Sequence, residues 1–266
     1  MKKRLWVVFA IAALGVSPVS ACATVVDPVP PTVVEIYFVA DTPQGFRLFS
    51  ELREFVGDES ELLESVLGDL VSGELQPLDP DYVTLWDSSH SFHSLSVSGP
   101  EATLDLDLGA LNVGAEAEAR AIDQLVWTLT GMSPEIKNVN IVVDGEVVES
   151  LAGHVDATMP FVRGEGIDVL SPVQISSPLE GQILSGPIVI EGQACTFEAN
   201  VVWELVHEST VLDTGFATAE SACPERSSWS VALADLTAGT YTFNAWEESA
   251  EDGSRMAFDS RSFSVE

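Results

Sequence analysis

The apolar periodicity of this chain changes once, near Gly164-Glu165-Gly166, and the change points to two different folds in one polypeptide. Before it, Leu62, Leu63, Val66, Leu67, Leu70 and Val71 recur at helical spacing, as do Ala121, Ile122, Leu125, Val126 and Leu129. Beyond Pro172 such stripes stop, and short alternating runs separated by turn residues take over. A period of 3.6 residues buries one face of a helix, and a period of two buries one face of a strand. A length of 266 residues fits two structured units.

The first unit is expected over 33–163. Val33–Ala40 is β-rich and ends at Asp41-Thr42-Pro43, whereas the mixed run Glu51–Asp58 suits neither helix nor strand clearly. A helix follows, with Asp58 and Glu61 as a capping box and Gly73 just past its end. Phe92–Val97 and Ala102–Leu108 flank Ser98-Gly99-Pro100-Glu101 as a hairpin. A second helix spans about 115–130, and Val139–Val143 with Asp144-Gly145 starts another hairpin. The order β-α-β-β-α-β plus a short strand predicts a small α/β sandwich, both helices on one sheet face. After a linker at 164–172, seven short strands over 173–266 predict an all-β sandwich of immunoglobulin type, so the whole chain is α+β.

The amino terminus carries an address. Lys2, Lys3 and Arg4 precede the apolar run Leu5–Val16, too short to span a bilayer as a mature helix. Val19-Ser20-Ala21-Cys22 then fits a lipobox, with 1–21 as signal peptide and Cys22 as the lipidated residue; the competing reading is an ordinary signal with a chance Cys. Residues 22–32 are Pro-rich and read as a tether. The expected location is the cell membrane, lipid-anchored on its extracytoplasmic face. Once Cys22 is set aside, Cys195 and Cys223 remain, and an exported chain favours their disulfide over two free thiols.

Charge narrows the partners. There are 42 acidic and 11 basic residues, for a net charge of −31. Nucleic acid is excluded as a partner, because phosphate binding needs clustered Lys and Arg. The acidity is spread over both halves, and Lys137 is the sole lysine outside the signal, a pattern that fits saline surroundings.

Both halves resemble known families. VEIYFVA (34–40), ELLESVLGDLVSG (61–73), ATLDLD (102–107) and AIDQLVWTLTGMSPEIKNVNIVVDGE (121–146) resemble the GerMN domain of sporulation and spore germination proteins. ISSPLEGQILSGPIVIEGQACTFEANVVWEL (175–205) and AWEESAEDGSRMAF (245–258) resemble the immunoglobulin-like domain of bacterial spore germination. The resemblance implies a non-catalytic envelope lipoprotein that works by protein–protein contact, with an envelope protein or peptidoglycan as partner. It supplies no catalytic residue and no cofactor.

The residues agree with that expectation. There is no Gly-x-Ser-x-Gly elbow, phosphate-cradling loop or His-Glu-x-x-His motif. His90 and His93 lie three apart on a strand approach and read as solvent-facing rather than metal ligands. Asp105 and Asp107 share one strand face, where they form either a wet surface or a Ca²⁺ or acid–base pair; Asp79 and Asp81 flank Pro80 in a loop that could hold Ca²⁺. These acids carry the alternative function, an ion- or small-ligand-binding sensor lipoprotein. Two further residues are interaction candidates. Glu198 follows Cys195 and reads as a buried structural acid or a partner contact; Trp86 lies in a loop-like stretch, either exposed for binding or in the core.

Overall fold

The computed structural model describes residues 30–266 except 110 and 112, and the side chains of residues 59 and 60 are not described. Cys22, the signal peptide and most of the expected tether lie outside the described residues.

In the first half, β1 (Thr32–Thr42) and β2 (Gly45–Phe55) form an antiparallel hairpin around Gly45 at φ +87°. Next come α1 (Glu59–Val71), β3 (Ser91–Ser98), β4 (Glu101–Asp107), α2 (Ala115–Met132), β5 (Asn138–Val143) and β6 (Glu146–Val147). The Asp58 carboxylate caps α1 by accepting the Glu61 N–H at 3.1 Å. Gly73 follows the helix at φ +70°, where an added Cβ would lie 2.9 Å from the Trp86 carbonyl oxygen.

This order contains a strand that the periodicity does not show. β2 alternates Arg47, Phe49, Glu51 and Arg53 on one side, and buried Glu51 breaks the apolar pattern. The single sheet expected is also two: the β1–β2 hairpin, and a four-stranded sheet ordered β3-β4-β5-β6 with β4 and β5 parallel. The cause is the unbroken apolar run in β1. Ile36 and Phe38 enter the main core with Val66, Leu67, Leu104, Leu106, Leu125 and Leu129. Tyr37 and Val39 bury the other face against Leu48, Trp127, Val169 and Leu170. A strand covered on both faces needs its own layer.

Residues 164–172 include one helical turn, α3 (Gly166–Val169), docked on β2. Ser171 N–H donates to the Leu48 carbonyl at 3.0 Å, and Arg47 and Arg120 donate to the Asp168 carbonyl at 2.5 and 3.0 Å.

The second half has eight strands rather than seven: β7 (Val173–Ser177), β8 (Gln182–Leu184), β9 (Ile188–Ala194), β10 (Asn200–His207), β11 (Thr210–Thr218), β12 (Ser227–Leu233), β13 (Gly239–Glu248) and β14 (Arg255–Val265). The extra strand, β8, is only three residues long and runs parallel to β14. Sheets ordered β12-β9-β7 and β11-β10-β13-β14-β8 face each other across a stacked aromatic core of Trp203, Trp229, Tyr241, Phe243 and Phe263. Cys195, just after β9, is disulfide-bonded to Cys223 in the β11–β12 connection. Residues 31–266 form one compact unit.

Candidate functional site

The last strand places two charges where a sandwich wants apolar residues. Ala257, Asp259, Arg261, Phe263 and Val265 alternate inward along β14, and Asp259 and Arg261 are both buried. A buried charge is tolerated only when paired and hydrogen-bonded. The partners come from the first half, in the loop 79–82 between α1 and β3.

The Arg261 guanidinium donates through Nη1 to Asp79 Oδ2 at 2.6 Å. Its Nη2 donates to Tyr82 Oη at 3.1 Å and to the Ile175 carbonyl at 3.0 Å. Tyr82 Oη in turn donates to Asp259 Oδ1 at 2.6 Å. Asp259 Oδ2 accepts the Ile175 N–H at 2.6 Å and lies 3.7 Å from Arg261 Nη2. At the margin, Ser260 Oγ donates to Asp81 Oδ2 at 2.6 Å. The loop itself is held from behind: Glu51 accepts the N–H groups of Leu78 and Asp79, each at 2.9 Å, and pairs with Arg53 at 2.7 Å. The buried Glu51 that hides β2 in the sequence therefore sets the position of Asp79.

Two carboxylates share one guanidinium in a dry site. Burial outweighs the attraction of Arg261 and pushes the Asp79 carboxyl up to about 7. Burial also raises Asp259. Burial disfavours charge on Arg261, yet Tyr82, Asp259 and Asp79 together hold its pKa above the ordinary arginine value. The junction can therefore take up a proton near neutral pH while the arginine stays charged. A second seam runs parallel: Gln174 Nε2 donates to Ser50 Oγ at 2.7 Å and Arg226 to the Ser171 carbonyl at 2.5 Å. Beside the junction a cleft of about 310 Å³ is walled by Leu52, Leu78, Ile175, Pro178 and Leu179.

The structure decides the alternatives left open for the candidate residues and corrects the expectations for His90 and Glu198. Asp79 and Asp81, whose loop is a candidate for Ca²⁺ by sequence, are instead engaged by Arg261 and Ser260. Trp86 is 1% exposed and donates its indole N–H to the Ala121 carbonyl at 3.1 Å, so it is core and not a contact surface. His90, expected in solvent, is buried edge-on to Trp86 at 5.5 Å. Glu198 is not a buried acid: it is exposed at φ +59°, next to Phe197, which is 73% exposed. Asp105 accepts the Gly145 N–H at 2.9 Å and so supports the β5–β6 turn, and Asp107 is exposed. Among the described residues no group of three His, Cys, Asp or Glu side chains is placed to hold a metal ion. No helix among them is long and apolar enough to cross a membrane.

One structural acid has no signature in the sequence. Glu118, on the first turn of α2, is wholly buried, and its carboxylate accepts the N–H groups of Leu151, Ala152, His154 and Val155 and the Ser150 hydroxyl, at 2.7–3.2 Å. Burial raises its pKa, but these donors outweigh burial and hold it below the usual range. Only the helical stripe marks its neighbourhood; the loop it gathers lies more than thirty residues away.

Two family models match the two halves of the chain. Residues 35–149 match the Germane family, described as sporulation and spore germination. Residues 172–254 match Gmad2, the immunoglobulin-like domain of bacterial spore germination. The chain joins a Germane domain to a Gmad2 domain. Among solved structures, the tandem GerMN domains of the sporulation protein GerM from Bacillus subtilis align at 16% identity and TM-score 0.41, over 54% of this chain and 50% of that one. The first GerMN domain of the same protein aligns at 18% identity and TM-score 0.39, over 50% of this chain and 98% of that one. A candidate lipoprotein from Clostridium perfringens aligns at 20% identity and TM-score 0.36, over 55% and 98%. No curated protein matches the chain. Arg261 lies beyond the matched part of Gmad2 and Asp79 lies inside Germane, so the junction ties the Germane domain to the closing strand of the other.

Proposed function

We propose that this is a non-catalytic lipoprotein of the cell envelope, anchored through Cys22 on the extracytoplasmic face, whose joined Germane and Gmad2 domains serve as a scaffold for an envelope protein or for peptidoglycan. The observation that carries this reading is the Asp79–Arg261 junction. A buried polar network between two small domains, reinforced by the Gln174–Ser50 seam, fixes their mutual orientation. A scaffold needs its surfaces held in one geometry, and a hinge enzyme would need the opposite. Anchoring rests on the order of basic residues, apolar run and Val19-Ser20-Ala21-Cys22. Acyl chains contribute about 0.8 kcal/mol per buried CH₂, enough for two or more to hold an acidic chain at a membrane.

The test is metabolic labelling with an alkyne fatty acid in a lipoprotein-processing host, followed by crosslinking in intact cells. Label on the full chain, its loss in Cys22→Ser, and a reproducible crosslinked species support the reading. An unlabelled, freely released chain removes the anchor, and hydrolysis of peptidoglycan fragments by the purified chain removes the non-catalytic role.

A further inference from the structure

The five-stranded sheet ends on β11, and the side chains across its outer face form an apolar row. The register places Phe258 beside Trp246, Trp246 beside Val202, and Val202 beside Phe216. Within the row, Trp246 is covered: the Arg255 guanidinium lies 3.9 Å over its ring and pairs with Glu204 at 3.0 Å. The row stops at the sheet edge on Phe216, which is 72% exposed because β11 has a neighbour on one side only. Val211 and Leu212 on the same strand are also exposed.

Edge strands are ordinarily blunted by lysine, proline or brevity. β11 is nine residues long, TVLDTGFAT, with neither lysine nor proline. Its outward backbone N–H and C=O groups can pair with an added strand. The charge beside that edge selects the strand: Glu208 precedes β11, Asp213 lies within it, Glu220 follows it, and the chain as a whole carries −31. A second copy would bring these same carboxylates against one another.

We infer that β11 is a strand-addition edge that receives an extended cationic segment of another protein, with an apolar side chain continuing the Phe258–Trp246–Val202–Phe216 row and Lys or Arg at alternate positions. This inference deepens the scaffold reading and rests on it, but its test is made on the purified chain and is independent of anchoring.

The probe is a fluorescein-labelled peptide, KVKFKVK, titrated by anisotropy at about 0.15 M NaCl, where charges beyond about 8 Å are screened. Two further peptides are N-methylated at alternate residues, one on each set. The expected result is saturable binding of the parent, loss of binding for one methylated set only, at least tenfold weakening by Phe216→Ser, and unchanged affinity for Ile183→Ser at the opposite edge. Circular dichroism checks that both variants fold. Equal binding of both methylated peptides shows adsorption by charge alone and overturns the inference. So does binding insensitive to Phe216→Ser, absence of binding, or a dimer in sedimentation that Phe216→Ser dissolves, because the edge then belongs to a second copy.

Discussion

Arg261, four residues before the end of the last strand, donates to the Asp79 carboxylate of the Germane domain at 2.6 Å, and neither side chain is open to solvent. The pair spans 182 positions of sequence, so it closes the chain on itself. Replacing a buried pair by apolar residues is often neutral, whereas removing one partner strands the other charge. Arg261→Met leaves Asp79 and Asp259 facing each other without a cation. The expected loss is about 3–5 kcal/mol at pH 8, measured by urea unfolding. The loss shrinks at pH 5, where Asp79 holds a proton. A loss of under about 1 kcal/mol at pH 8 would show the pair to be idle.

The same site sets a pH dependence with a definite sign. Asp79 holds its proton up to about pH 7 when folded, against 3.8 for the free side chain. Between those values the folded chain binds more protons than the unfolded one, so stability from this group is full at low pH and is lost as pH rises through about 7. Acidification also relieves the general negative charge, so the diagnostic is a difference. The melting temperature should rise from pH 8 to pH 5, and rise less in Asp79→Asn. Parallel curves for the two proteins would place the proton elsewhere.

Glu118 makes the opposite kind of contribution. Its carboxylate gathers the loop 150–155, and glutamine would set an NH₂ group against backbone donors. Glu118→Gln should cost about 2–3 kcal/mol, by the loss of charged hydrogen bonds. Amide exchange at Leu151, Ala152 and Val155 should speed up before the rest of the domain is affected. Unchanged protection at those amides would contradict the role.

The Cys195–Cys223 bond closes a loop with a sequence separation of 28. Cys195→Ala with Cys223→Ala should lower stability by about 3–4 kcal/mol in the chain-entropy picture. The exposed Phe197 loop lies directly after Cys195 and should lose amide protection first. A stability equal to that of the oxidised chain would mean that the loop is held by hydrogen bonds alone.

These residues show what was readable in the sequence. Periodicity located both helices and the alternating strands, because Leu62–Val71 and Ala121–Leu129 bury one face each. The turns at Gly99 and Asp144-Gly145 needed positive φ and announced it in their composition. β2 stayed hidden because Glu51 occupies a buried position for the sake of the Leu78 and Asp79 amides, a reason that lies in another segment. Asp79, Asp259 and Arg261 were three charges among 53, and only tertiary packing joins them. Trp86 lay in irregular backbone, yet its indole found a carbonyl at the core, which no local pattern reports.

The central claim is that the two domains form one body through Arg261, and differential scanning calorimetry of the 31–266 unit at pH 7 tests it most directly. The account predicts a single cooperative transition in the native sequence, with calorimetric and van't Hoff enthalpies in agreement. Arg261→Met should split it into two. Two independent transitions in the native sequence, or a single unchanged transition in the variant, would contradict it.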